Sequence, residues 1–283
     1  MNSNSAPATL SDILRSADKV DLDVLVDYIT DSGNGRLSLD GDVCQWLTRA
    51  KAGAYGAADI ALIEREIREF GGNTVANLFR SMRGGVGSLF RAAQPSGSVA
   101  YDEIVRDVAE HLKVKLNKDA ATSEVEEGIL SSLLLTSFEK MSLEEREAVL
   151  SQLGVADAAD LAKRGAAAMT TGVAGALLGA VVAYRLSGMV AAASAQALLG
   201  KAFSFGAASI AARPLSVLVG PVGWAVTGAW ALADMASPAY RVTVPCVVHI
   251  AYMRKKAQMG RLEFATPSTI NPQPNPLPGA HQC

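Results

Sequence analysis

From Gly165 to Ala233 the chain runs 69 residues with three charges, Arg185, Lys201 and Arg213. A helical stretch so poor in charge has to be buried in protein, face lipid or cover a partner. Residues 165–184 and 214–233 carry no charge at all, 20 residues each, the length that crosses a hydrocarbon core of about 30 Å. Their composition is soft, however. Residues 165–184 hold seven Ala and four Gly, whereas favourable insertion comes from Leu, Ile, Phe and Val. The small residues fall in rows: Gly172, Ala176 and Ala180 in one, Gly175, Gly179 and Ala183 in the next. Such rows let helices approach closely in a membrane, and they equally suit a dry helical hairpin inside a soluble protein. Pro214 marks a boundary and Pro221 interrupts the second uncharged stretch, in which Trp224 and Trp230 suit either a membrane interface or a core.

Basic clusters flank this region, Lys163-Arg164 before it and Arg254-Lys255-Lys256 after it. Attraction to anionic lipid head groups is worth about 1 kcal/mol per such charge; cations at a helix C-terminus are the plain alternative. The net charge of −2 hides an imbalance. Residues 1–160 hold 16 basic and 26 acidic side chains, and residues 161–283 hold 10 basic side chains with only Asp234 and Glu263. The acidic first part argues against phosphate-driven nucleic-acid binding. Cys44, Cys246 and Cys283 are odd in number and widely spaced, which implies a reducing compartment and no disulfide framework. The N-terminus has neither a basic n-region nor an apolar h-region, so no secretory signal is expected.

Residues 1–160 read as short amphipathic helices, and no alternating strand pattern occurs in them. Leu22, Leu25, Val26 and Ile29 form one apolar stripe, and Ile60, Ile63, Ile67 and Phe70 form another. Gly71-Gly72 is expected to end that second helix, with Asn73 capping the next. Ser123 with Glu126 and Ser142 with Glu145 have the spacing of capping boxes. Gly84-Gly85-Val86-Gly87 reads as a hinge. Further on, Pro245 is expected to open a helix, and the alternating prolines of 272–278 make residues 261–283 a disordered tail. With its own caps and stripes, the 1–160 part is expected to fold alone.

The familiar site signatures are missing. Asp31-Ser32-Gly33-Asn34-Gly35 puts glycine where a calcium loop needs oxygen ligands. The glycines at 84–87 are not followed by Lys-[Ser/Thr], as a phosphate loop requires. Cys246 and His249 sit three apart but have no further zinc ligands nearby, so a buried, satisfied pair is expected. There is no Gly-x-Ser-x-Gly elbow. No catalytic, cofactor-binding or metal-ligating residue is therefore assigned.

Three stretches carry a family likeness: Phe70-Gly71-Gly72-Asn73-Thr74-Val75-Ala76-Asn77, Tyr101-Asp102-Glu103-Ile104-Val105-Arg106-Asp107-Val108 with the basic patch at 113–118, and Ser237-Pro238-Ala239-Tyr240-Arg241-Val242-Thr243-Val244-Pro245. Together, over residues 10–256, they resemble the YaaW-like family of uncharacterised bacterial proteins, whose shared domain is grouped with the ubiquinol-cytochrome c chaperone domain. The resemblance implies a helical domain over about residues 60–155 that binds a membrane-protein client, and it brings no catalytic residues.

The expectation is an all-α protein: an acidic helical domain at 1–160, a Gly/Ala-rich hydrophobic helical region at 161–260 and the tail. The function expected is non-enzymatic. Hydrophobic helices sit on or in a bilayer at the cytoplasmic side of the inner membrane, or wait sheltered in a soluble form. Gly172, Gly175, Gly179, Trp224 and Trp230 would pack the helices, and Lys163, Arg164, Arg254, Lys255 and Lys256 would meet head groups. Self-association is compatible with the small-residue rows. The alternatives are an assembly chaperone or adaptor for a hydrophobic client, and a soluble enzyme with a buried hairpin.

Overall fold

The computed structural model describes residues 8–36, 39–82, 99–115, 117, 119–152, 155, 157–165, 173–199 and 239–265. Among these residues there are ten helices and no strand: α1 (Leu10–Ser16), α2 (Lys19–Thr30), α3 (Gly41–Lys51), α4 (Ala57–Met82), α5 (Tyr101–His111), α6 (Thr122–Lys140), α7 (Leu143–Gln152), α8 (Ala158–Arg164), α9 (Val173–Leu199) and α10 (Tyr240–Ala265). Each helix from α1 to α8 has an acid in its first turn, where the helix dipole favours it; α9 and α10 have none.

The centre of the molecule is α10. Every residue from Val242 to Met253 is buried, and α1, α2, α4, α5, α6 and α9 all pack on it. A helix apolar on all sides has to be enclosed, and Val242, Val244, Val247, Val248, Ile250 and Tyr252 supply the enclosed surface. The helix that the sequence places in the second part thus completes the core of the first. The stripes expected in α2 and α4 are indeed the faces turned inward: Leu22, Leu25, Val26, Ile29, Ile63, Ile67 and Phe70 are all buried.

Three local expectations are corrected. Gly71-Gly72 does not end a helix, and Asn73 does not cap one: α4 runs through all three. A Cβ at Gly71 would collide with Cδ1 and Cγ1 of Ile104, so the Ile104 side chain of α5 lies directly against the α4 backbone there. Pro245 lies inside α10 rather than at its start. The bond it cannot donate would go to Arg241, whose exposed position leaves room for water. Ser123 does not cap α6. Its N-cap is Ala121, whose N–H donates to Glu124 Oε2 at 2.9 Å. The Ser142–Glu145 box is present in both directions, at 2.8 and 3.2 Å.

Of the charge-poor region, α9 is described, with side chains from Tyr184 onward. That half is seated in the body. Ser187, Met189, Val190, Ala191, Ala193, Ser194 and Ala195 are buried, and the helix packs on α10, α6 and α2. Gly172, Trp224 and Trp230, the 84–87 glycines and residues 266–283 lie outside the described residues, whereas residues 261–265, expected in the disordered tail, are instead the last turn of α10. Gly175 and Gly179 lie in the first half of α9, where only the backbone is described.

Candidate functional site

The polar groups of α10 form a chain of contacts along an otherwise apolar helix. Arg254 is buried, and its guanidinium takes Glu126 from both sides: Nε donates to Oε2 at 2.5 Å and Nη2 to Oε1 at 3.0 Å, while Nη1 donates to the Ala8 carbonyl. Tyr101 Oη also donates to Glu126 Oε1, at 2.9 Å. Two oxygens meeting three donors leave this buried carboxylate satisfied. Lys255 pairs with Glu127 at 2.8 Å. Lys256 reaches Asp18 at 2.6 Å and Asp21 at 2.8 Å, clamping the first turn of α2, whose N-cap is Asp18.

About two turns before Lys256, His249 is fully enclosed, and its Nε2 lies 3.1 Å from the Asp21 carbonyl oxygen. Burial pulls its pKa down to about 3, so the imidazole is neutral, and its 3.6 Å approach to Asp21 Oδ1 is not an ion pair. Burial pushes Asp21 up to about 6 and the Cys246 thiol up to about 12, which makes that thiol inert near neutral pH. Tyr252 packs beside His249, stacks on Tyr184 of α9 with ring centroids 5.8 Å apart, and carries Lys256 over its ring at 5.9 Å. At the start of α10, Tyr240 stacks on His111 at 3.7 Å and donates to Asp107 Oδ1 at 3.3 Å. Burial raises Asp107 to about 6 as well.

This arrangement binds the molecule to itself. A small cleft between α6 and α10 is lined by Ser123, Glu126, Glu127, Arg254, Lys255 and Gln258, and its charged groups already face one another. No group of three or more His, Cys, Asp or Glu side chains among the described residues is placed to hold a metal ion. Three of the five side chains read as lipid contacts, Arg254, Lys255 and Lys256, end on carboxylates of α6 and of the start of α2. The other two, Lys163 and Arg164, are exposed at the end of α8, where Arg164 pairs with Asp160 at 2.8 Å. The carboxylate that matters most, Glu126, reads as a cap in the sequence because its spacing from Ser123 is right. Only the unmatched cations of the second part hint that it has a distant partner.

The chain is 34% identical over 196 residues to a protein of Helicobacter pylori strain J99 named UPF0174 protein, covering 69% of this chain and 71% of that one. A second Helicobacter pylori UPF0174 protein, from strain 26695, is 36% identical over 200 residues, covering 69% and 87%. The chain belongs to the UPF0174 family. UPF0174 protein YaaW of Escherichia coli K12 is 29% identical over 194 residues, 69% of this chain and 70% of that one. No protein-family profile matches the chain, and no solved structure does either. In this UPF0174 chain the second of the three stretches that carry the family likeness touches both of the others: Gly71 admits Ile104, and Asp107 accepts from Tyr240.

The titrations pull in opposite directions. His249 is neutral in the fold while the unfolded chain takes up a proton below about pH 6.5, so its contribution is present above that pH and is lost as pH falls toward 3. Asp21 and Asp107 hold protons in the fold up to about pH 6, so their burial becomes less costly as pH falls from 6 toward 4. Replacing His249 with Gln, which keeps a donor for the Asp21 carbonyl, removes only the first effect. From pH 7 to pH 5 the variant should gain about 2 kcal/mol relative to the wild type, at about 1.4 kcal/mol per pH unit. Urea melts at the two pH values measure this, and parallel shifts of the two proteins would refute it.

Proposed function

We propose that this protein is a non-enzymatic helical protein that associates with a bilayer through its charge-poor region, which the acidic body shelters when no membrane is present. The observation that carries this is the seat of α9. Its second half, uncharged apart from Arg185, turns Met189, Val190, Ala191 and Ala195 into the protein rather than toward water. No helix among the described residues is long and apolar enough to cross a membrane; the reading is of hydrophobic helices that bind or insert into the inner membrane from the cytoplasmic side. Lys163 and Arg164, exposed where the charge-poor region begins, are the cations left for head groups.

Flotation with phosphatidylcholine vesicles, with and without phosphatidylglycerol, tests this. The protein should float with the anionic vesicles and less well at high salt, and Lys163→Gln with Arg164→Gln should weaken that preference. A protein that stays at the bottom of the gradient with both vesicle types, even after mild heating, would end the bilayer reading. The runner-up would then lead: a chaperone or adaptor, as the grouping with the ubiquinol-cytochrome c chaperone domain implies, in which the α9 seat exchanges for a client helix.

A further inference from the structure

We infer that Gly188 and Tyr252 form a latch that holds α9 on α10, and that α9 can leave while the rest of the body stays folded. The two helices are held by very different means. α10 is fixed by Arg254–Glu126, Lys255–Glu127, Lys256–Asp18/Asp21 and the His249–Asp21 contact, as well as by its run of buried side chains. The described half of α9 buries mainly Ala and Ser together with Met189 and Val190, while Tyr184, Leu186, Leu198 and Leu199 are only partly buried against the core. Its buried hydroxyls are spent inside the helix: Ser187 Oγ donates to the Tyr184 carbonyl and Ser194 Oγ to the Val190 carbonyl, both at 2.7 Å. Those bonds survive if α9 departs, so its release orphans neither hydroxyl.

What sets its position is one aromatic ring. A Cβ on Gly188 would come within 3.3 Å of Tyr252 Cε2, and Tyr184, one turn earlier on α9, stacks on the same ring. The ring therefore sits over a glycine gap with a tyrosine beside it, a fit that a methyl at 188 tightens and that a branched side chain at 188 forces apart. The purpose of such a latch rests on the bilayer reading above; its existence does not.

The test is Gly188→Val in the full chain, with Gly188→Ala as the milder step, followed by hydrogen exchange and vesicle flotation. Crowding of this kind costs enough to speed opening about tenfold or more. The amides of 184–199 should exchange at least about tenfold faster in Gly188→Val, and less so in Gly188→Ala, while those of 242–253 keep their protection. The variant should also float more readily than the wild type. Loss of protection in α9 and α10 together, or in neither, overturns the latch. Faster exchange confined to α9 with no flotation of either protein keeps the latch and removes the bilayer reading.

Discussion

A chain cut after residue 160 is expected to lose its cooperative melt. The capping boxes and apolar stripes of that part make it look self-sufficient, but its inward faces close on α10. Val242, Val244, Val247, Val248, Ile250, Tyr252 and Met253 are at most 3% exposed. At about 1.5–3 kcal/mol for each side chain so enclosed, their removal forfeits on the order of 10–20 kcal/mol. A domain's whole net stability is about 5–15 kcal/mol. The fragment should keep helical circular dichroism, bind a hydrophobic dye and melt without a sharp transition, as loosely packed compact states do. A 1–160 fragment that melts as sharply as the full chain would show that α10 is an addition to the core and not its centre.

Replacing Arg254 with Ala should cost about 3–5 kcal/mol, because it leaves Glu126 charged and enclosed with only Tyr101 to serve it. Replacing the pair together, Arg254→Met with Glu126→Leu, should cost much less, since no buried charge is then stranded. The remaining penalty falls on the Tyr101 hydroxyl, which loses its acceptor. Denaturant midpoints of the two single variants and the double give the coupling directly. An Arg254→Ala variant no less stable than the double variant would mean that a Glu126 left without its guanidinium costs the fold little.

The helices were legible in the sequence because apolar spacing reports an inward face whatever that face meets. Partners were not legible. Glu126 lies three residues after a serine, and local spacing favours a cap; its real partner is 128 residues away. Gly71-Gly72 resembles a helix end because glycine serves both at a C′ position and where another helix comes close, and only the position of Ile104 decides between them. The charge division was plain, but it reads as two regions with separate tasks. Arg254, Lys255 and Lys256 instead show basic groups of the late sequence neutralising acidic groups of the early sequence across one core. Gly188 lies outside the two small-residue rows, and nothing in the sequence marks the tyrosine it faces.

The central place of α10 also sets an order of events during synthesis. The acidic helices emerge first, with a groove that nothing yet fills, and the charge-poor region emerges before the helix that belongs there. At about 5–20 residues per second, the hundred or so residues between the end of α7 and Lys256 take roughly 5–20 s to make. For the later part of that interval the ribosome carries an open acidic groove and a lengthening, uncovered apolar segment on the same nascent chain. Whatever meets that segment first, a bilayer, a holding chaperone or its own body, does so before the completed fold can compete for it.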